Sequence, residues 1–204
     1  MSRPRPFSEV SGFVLAGGAS RRMGTDKASL PLGRERLLDR QVRVLRAVCR
    51  TVAIIGPPAR FGGTGVRIYE DEIPGKGPLG GIHAGLQRAR TEFSLFLGCD
   101  MPLMEARFLH YLCGQAMATP ALATLPPPRV GGRYPICVVL RRRALARVRF
   151  CLESGQNQVG RFLSRATRRV ITEAEFRRAG FSTRIFCNLN TPEEYGRIRQ
   201  QWVQ

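Results

Sequence analysis

The stretch that decides the fold reads FVLAGGASRRMGTDK and occupies residues 13–27. Its first four residues are apolar and predict a short buried strand over residues 13–16. The glycines that follow allow a backbone to approach a phosphate closely, and their N–H groups can form an anion-binding nest. The loop matches neither GxxxxGK[ST] nor GxGxxG. The residues alone therefore favour a phosphate-binding loop at the carboxyl end of a strand, with an ordinary turn as the alternative.

Apolar runs of strand length alternate with amphipathic stretches of helix length in the first half of the chain. The predicted strands are 13–16, 52–55, 66–69 and 93–97, and the predicted helices are 37–49, 79–89 and 105–116. Such alternation is typical of βαβ units around a mainly parallel sheet.

The second half is less regular. The predicted strands are 121–125, 136–140, 169–172 and 184–189. The predicted helices are 142–151, 158–165 and a last one that begins at Thr191, with Pro192 and two acids in its first turn. No repeat or long linker interrupts the chain, so we expect a single domain over residues 1–204 with a flexible basic N-terminus to about residue 11.

The formal net charge of +18 is spread along the chain and not concentrated in a nucleic-acid-binding motif. Lys27 and Lys76 are the only lysines among 33 basic residues, which indicates a general preference for arginine. We therefore expect no specific nucleic-acid partner. We expect Lys27 and Lys76 to lie where the compact ammonium of lysine is needed, because the wide guanidinium of arginine is a poor substitute there.

The cysteines, the lengths of the apolar runs and the N-terminal residues indicate the cellular compartment in which we expect the protein. The six cysteines show no CxxC spacing and predict neither a disulfide framework nor a zinc site. No apolar run is long enough to span a bilayer, and no secretory signal is recognisable. We expect a cytoplasmic protein without a membrane partner.

Four segments together carry a family resemblance. The first is LAGGASRRMGTDK at residues 15–27, and the others follow it in order: YED and GPLGG at 69–81, GCDMP at 98–102, and NLNTPEE at 188–194. In this order they resemble the MobA-like nucleotidyltransferases, the family of molybdenum cofactor guanylyltransferases. The resemblance spans about residues 12–200.

The resemblance implies a three-layer α/β/α nucleotide-binding, Rossmann-like domain with a mixed, mostly parallel sheet. It also implies a reaction that joins GMP from GTP to the phosphate of molybdopterin and releases pyrophosphate. Charge develops on the oxygens around the α-phosphorus in such a transfer, so cations and fixed N–H donors are required. Mg²⁺ is the implied cofactor, and GTP the implied nucleotide substrate.

The resemblance also implies which residues bind the nucleotide and its metal. Backbone groups of the first part of the loop are expected to contact guanine and ribose, and those from Gly18 onward the phosphates. The implied binding residues are Leu15, Ala16, Gly17, Gly18, Ser20, Arg21, Lys27, Gly56, Asp71, Asp100, Asn188 and Asn190.

Three of the implied residues act in the reaction itself. Lys27 is expected to neutralise the α-phosphate, Arg22 to assist it, and Asp100 to bind Mg²⁺. Asp100 ends a predicted buried strand, where an unpaired carboxylate is costly and a bound cation removes that cost. Asn188 and Asn190 are expected to orient the acceptor or the metal. The alternative for Asn190 is that it only helps to cap the last helix.

The acceptor half departs from the family pattern. The segment Gly155-Gln156-Asn157-Gln158 stands where the family usually has a basic pair, so Arg161, Arg165 or the run 141–143 are candidates for the acceptor phosphate. Two alternatives therefore stay open. One is a cytidylyltransferase or a relative with another phosphorylated acceptor, and the other is a non-catalytic adaptor. Molybdoenzymes and cofactor-insertion proteins are candidate partners for the product.

Overall fold

The computed structural model describes residues 5–17, 26–73, 75–129 and 134–200. The strands are β1 (Phe7–Leu15), β2 (Pro31–Leu32), β3 (Glu35–Arg36), β4 (Cys49–Ile55), β5 (Arg67–Tyr69), β6 (Phe93–Gly98), β7 (Ala123–Leu125), β8 (Cys137–Arg141) and β9 (Arg168–Val170). The helices are α1 (Leu37–Arg46), α2 (Gly77–Arg88), α3 (Ala106–Met117), α4 (Ala144–Glu153), α5 (Val159–Arg165), α6 (Glu173–Arg178) and α7 (Pro192–Gln200). Short 3-10 helices occupy Lys27–Ser29, Pro58–Arg60 and Thr183–Phe186.

Seven of the strands form one sheet in the order β5-β4-β1-β6-β8-β7-β9. Within this sheet β8 runs antiparallel to both of its neighbours, and the other pairings are parallel. The carboxyl ends of β1, β4, β5 and β6 therefore meet at one edge. Strands β2 and β3 form a separate antiparallel pair that the sequence patterns did not predict.

Helices cover both faces of the sheet. Alternate side chains of β1 enter different cores, with Val14 in one and Phe13 in the other. The first core is shared with α1, α3, α6 and α7, and the second with α2, α4 and α5. This is the predicted three-layer α/β/α arrangement with a mixed, mostly parallel sheet. The described residues include no helix long and apolar enough to cross a membrane.

Two expectations from the sequence are wrong. Residues 7–11 are not a flexible terminus but the first half of β1, where the Phe7 amide donates to the Val48 carbonyl and the Phe7 ring contacts His110 in a tilted arrangement. Residues 184–189 do not form a strand. Ile185 and Phe186 are consecutive yet both lie in the first core, which alternating strand side chains cannot do, and a 3-10 turn delivers both to the same side.

Candidate active site

A cavity of about 720 Å³ lies at the edge where β1, β4, β5 and β6 end. This is the position at which open α/β sheets bind ligands. Its described walls come from segments far apart in the sequence. They are Leu15, Ala16, Gly17, Asp26, Lys27, Ala28, Ile55, Gly56, Pro57, Glu70, Asp71, Gly75, Gly77, Pro78, Gly81, Gly98, Cys99, Asp100 and Ile136.

Lys27 reaches this cavity from a short 3-10 helix that begins at its own position. Asp26 caps that helix by accepting a hydrogen bond from the Ala28 amide at 3.2 Å. Asp26 also pairs with Arg60 at 2.8 Å, which ties the end of the loop to the segment after β4. The Lys27 ammonium donates to the Asn190 side-chain oxygen at 3.1 Å. Hydrogen bonds therefore fix both the backbone around Lys27 and its ammonium group.

Asp100 follows β6 and projects its carboxylate into the same cavity. Burial raises the pKa of the Asp100 carboxyl above its usual range, and the charge of Lys27 opposes the shift. Gly98 leaves the space that the carboxylate uses, because a Cβ at residue 98 would lie 2.9 Å from the Asp100 Oδ1. The Asp100 carbonyl accepts from the Leu189 amide at 2.8 Å, so the segment before the last helix also touches this turn.

Gly56 allows the chain after β4 to pass close to the first loop. A Cβ at this residue would lie 2.6 Å from the Phe61 ring and 3.4 Å from the backbone of Ala16 and Gly17. The Gly56 amide donates to the Tyr69 carbonyl at 2.9 Å. Ala16, Gly17 and Gly56 thus form one continuous wall with little side-chain bulk, suited to a ligand that contacts backbone.

Asp71 also lines the cavity and lies against α2. A Cβ at Gly80 would clash with the Asp71 carboxylate, so glycine is required for this approach. Burial raises the pKa of Asp71, and the hydrogen bond from the Ile73 amide at 3.0 Å opposes that shift. Asp71 and the first residues of the loop, Leu15 to Gly17, line the same cavity.

The two asparagines before α7 have different surroundings. The cap of α7 is formed by Thr191 and Glu194, which exchange hydrogen bonds at 3.1 and 3.2 Å, and the Asn190 amide donates to the same glutamate at 2.6 Å. The Asn190 side chain does not cap the helix, because it contacts Lys27 instead. The Asn188 Oδ1 is buried and has no hydrogen-bond partner among the described residues.

Some predicted residues lie outside the described part of the chain, and some cavity residues were not predicted. Gly18, Ser20, Arg21 and Arg22 fall outside the described residues. Asp26, Glu70 and Ile136 line the cavity although no binding role was predicted for them. Asp26 could have been predicted from the sequence, because it immediately precedes Lys27. Ile136 could not, because it reaches the cavity only through the pairing of β8 with β6.

The donor set suits Mg²⁺ better than a transition metal. Within residues 5–17, 26–73, 75–129 and 134–200, no group of three or more His, Cys, Asp or Glu side chains could enclose a metal ion. Mg²⁺ does not need such a cage, because it binds through one or two carboxylates together with substrate phosphates and water. The buried carboxylate of Asp100 and the unpartnered amide oxygen of Asn188 are hard oxygen donors of this kind, although neither Asn188 nor Asn190 is among the residues that line the cavity.

A second cavity, of about 490 Å³, borders the first, since Ile136 lines both. We call it the α5 groove. Its described lining contains one cation, Arg168, and no carboxylate. The lining residues are Tyr134, Pro135, Ile136, Val138, Val159, Gly160, Leu163, Ser164 and Arg168.

The arginines at residues 141–143, which were candidates for the acceptor phosphate, line neither cavity. Arg141 pairs with Phe93 at the start of β6, whereas the cavity lies beyond Gly98, about 17 Å further along the strand. Arg141 is already engaged by Glu92 at 2.8 Å and by the Thr119 carbonyl at 2.7 Å. Neither Arg161 nor Arg165 lines either cavity, and Arg165 donates to Gln156 at 3.0 Å.

Comparison with known proteins gives a consistent result. Residues 12–170 match the family described as MobA-like NTP transferase domain. A molybdenum cofactor guanylyltransferase from Syntrophotalea carbinolica is 33% identical over 193 residues, which cover 94% of this chain and 91% of that protein. A probable molybdenum cofactor guanylyltransferase from Chloroflexus aggregans is 35% identical over 154 residues, 74% of each chain.

Solved structures share the fold at low sequence identity. Molybdopterin-guanine dinucleotide biosynthesis protein A from Archaeoglobus fulgidus superposes with a TM-score of 0.79 at 19% identity, covering 94% of this chain and 97% of that one. The 2-C-methyl-D-erythritol 4-phosphate cytidylyltransferase from Thermus thermophilus superposes with a TM-score of 0.68 at 12% identity, over 93% and 96% of the two chains. The fold is therefore common to transferases of different base choice.

Proposed function

The chain belongs to the MobA-like NTP transferase family, and we propose that it is a molybdenum cofactor guanylyltransferase that transfers GMP from GTP to the phosphate of molybdopterin and releases pyrophosphate. The observation that carries this proposal is the cavity that Lys27 and Asp100 both line. The charge of the Lys27 ammonium there opposes the rise that burial causes in the pKa of the Asp100 carboxyl. A cation and a desolvated carboxylate beside a glycine-lined wall are the groups that nucleotidyl transfer requires.

The charge of the cavity supports a requirement for additional cations. Its described walls carry one ammonium and four carboxylates, and one of these, Asp26, is paired with Arg60. A triphosphate would be repelled by such walls without further positive charge. We assign that charge to Mg²⁺, held by Asp100 and assisted by Asn188, and to Arg21 and Arg22 of the loop.

In the proposed reaction the residues of this chain bind, orient and neutralise. The backbone of Leu15, Ala16 and Gly17 contacts guanine and ribose, and the small wall at Gly56 permits that approach. Lys27, restrained by Asn190, stabilises the charge that grows on the α-phosphate. When bound, Mg²⁺ supplies Lewis-acid stabilisation of the phosphate oxygens and of the leaving pyrophosphate.

The α5 groove is the site that we assign to the body of the acceptor. It opens beside Ile136, which it shares with the nucleotide cavity, so a ligand in the groove can extend a phosphate toward the nucleotide. Its apolar walls and Tyr134 suit a flat heteroaromatic ring, and the positive charge of Arg168 suits an anion.

We place the reaction in the cytoplasm, with molybdoenzymes or insertion proteins as recipients of the product.

Base choice tests the proposal most directly. Calorimetry with GTP, CTP, ATP and UTP in the presence of Mg²⁺ should show GTP bound at least about tenfold more tightly than CTP, about 1.4 kcal/mol. Incubation with GTP and molybdopterin should yield pyrophosphate and the guanine dinucleotide in equal amounts. A preference for CTP would instead identify a cytidylyltransferase, and nucleotide binding without pyrophosphate release would favour an adaptor.

A further inference from the structure

The turn that follows Asp100 is held by two neighbouring side chains of α1. The Gln41 side-chain amide donates to the Met101 carbonyl at 2.6 Å. The Arg40 guanidinium donates to the Pro102 carbonyl and, at 3.0 Å, to the Met104 carbonyl. Three carbonyls of one turn are thus bound by consecutive residues of a helix that lies outside the cavity, and we call this set of contacts the α1 brace.

Gln41 is an unusual residue for its position. It is 0% exposed in a helix that otherwise buries mostly apolar side chains, and its Oε1 has no hydrogen-bond partner among the described residues. A buried oxygen without a hydrogen-bond partner destabilises the folded state, because it has lost its contacts with water. Stability alone would therefore favour an aliphatic side chain of similar size at this position.

The Met101 carbonyl keeps a hydrogen-bond partner even without Gln41. It also accepts from the Met104 amide at 3.2 Å, which closes the turn locally. Loss of the Gln41 amide would therefore leave no orphaned carbonyl behind and would remove an orphaned oxygen. The hydrogen bond between Gln41 and Met101 thus has its main effect on where the turn lies relative to α1.

The turn that the brace holds is the one that carries Asp100. The neighbouring backbone is fixed on its other sides, since the Cys99 amide donates to the Leu15 carbonyl at 3.1 Å and the Leu189 amide to the Asp100 carbonyl at 2.8 Å. The brace supplies the remaining restraint, from the side of α1. Partners of this kind set the orientation of a metal-binding carboxylate without touching the metal or the substrate.

We propose that Gln41 and Arg40 are positioning residues, which orient the Asp100 carboxylate for cation binding through the backbone of Met101, Pro102 and Met104. This inference rests on the metal-binding role proposed for Asp100. It adds a requirement that lies outside the cavity.

The test compares Gln41→Met with Gln87→Met, the same replacement at an exposed position of α2 that lines neither cavity. In Gln41→Met, the Mg²⁺ concentration for half-maximal turnover should rise at least about tenfold, a typical effect of losing such a partner. Affinity for GTP in EDTA should stay within about twofold of the parent. The melting temperature should stay the same or rise, because an orphaned oxygen is removed. Gln87→Met should change none of these values.

Hydrogen exchange provides a second measurement that does not depend on catalysis. The amides of Met101, Leu103 and Met104 should exchange faster in Gln41→Met and in Arg40→Lys than in the parent, since both variants weaken the brace. Unchanged exchange together with an unchanged Mg²⁺ requirement would overturn the inference. A parallel loss of stability, GTP binding and Mg²⁺ binding would also overturn it, since that pattern indicates a merely structural residue. A parent that turns over GTP without any metal would refute the role of Asp100, while the exchange data would still decide whether the brace holds the turn.

Discussion

The Lys27 ammonium lies 3.1 Å from the side-chain oxygen of Asn190, a residue 163 positions further along the chain. The backbone of Asn190 is in turn fixed by the Glu194 carboxylate at 2.6 Å, within the cap of α7. The position of the loop lysine therefore depends on the last helix of the protein. A lysine on a glycine-rich loop would otherwise have considerable conformational freedom.

Lys27→Arg should reduce turnover by about tenfold or more, which corresponds to about 1.4 kcal/mol of transition-state stabilisation. The planar guanidinium keeps the charge but cannot reproduce the single-point contact of the ammonium with Asn190. GTP affinity should fall less than turnover, since the charge on the α-phosphate grows toward the transition state. Steady-state kinetics and calorimetry check this, with Arg43→Lys on the exposed face of α1 as the control. Parent-like turnover would show that Lys27 is only a general electrostatic contact.

Asp100→Asn should reduce Mg²⁺-dependent turnover at least about 100-fold, or about 2.7 kcal/mol, because it removes the charge proposed to hold the metal. If turnover with Mg²⁺ persisted at the parent rate, the metal site would lie elsewhere.

The same substitution should not destabilise the metal-free protein at neutral pH. The pKa of Asp100 is raised by burial, so the folded state binds its proton more tightly than the unfolded state does. Stability therefore decreases as the pH rises through the pKa of the folded protein, and asparagine abolishes that decrease. In EDTA, the melting temperature of Asp100→Asn should equal or exceed that of the parent at pH 7. The advantage should shrink below about pH 4, where aspartate is protonated in both states. A lower melting temperature at pH 7 would contradict this account.

Gly160→Phe should raise the KM for the acceptor at least about tenfold, or about 1.4 kcal/mol, and leave GTP binding unchanged. Gly160 lines the α5 groove, and a Cβ at this residue meets no atom within 4 Å, so a larger side chain can enter the groove without a backbone clash. Phenylalanine and alanine both favour the helix more than glycine does, so folding should be retained. Gly160→Ala, which is too small to fill the groove, is the matched control. An unchanged KM in Gly160→Phe would place the acceptor elsewhere.

His83 should make the protein less stable in mild acid. It is 4% exposed in α2, and neither ring nitrogen has a hydrogen-bond partner among the described residues. Burial lowers its pKa, assisted by the charge of Arg149 and opposed by Glu72, Asp71 and Glu153. The unfolded state then binds the proton more tightly, so the free energy of unfolding decreases as the pH falls through about 6.5.

Urea denaturation at pH 7, 6 and 5 measures this effect. The decrease should be smaller in His83→Leu and should persist in His110→Leu, which replaces the other histidine of the chain. An equal decrease in His83→Leu and the parent would assign the acid sensitivity to other groups.

Much of the architecture follows from local patterns in the sequence. Among the described residues, the alternation of apolar runs predicted seven of the nine strands and six of the seven helices, because the periodicities of strands and helices are properties of neighbouring residues. The largest error in a boundary is that of β1, which begins six residues before its predicted start. The same patterns place Asp100 after a buried strand and Thr191 at the start of the last helix. The short helix α6 was missed, although its capping box, Thr172 to Glu175, is visible in the sequence.

The sequence by itself therefore determined the layers, the ligand-binding edge and the chemical character of the nucleotide loop. Only the tertiary structure decided which distant residues meet there. The contact of Lys27 with Asn190, the sharing of Ile136 by two cavities, the exclusion of residues 141–143 and the bond from Gln41 to Met101 all depend on strand register or on helix packing. Register and packing result from the simultaneous burial of many side chains across the whole chain, so no short segment contains them.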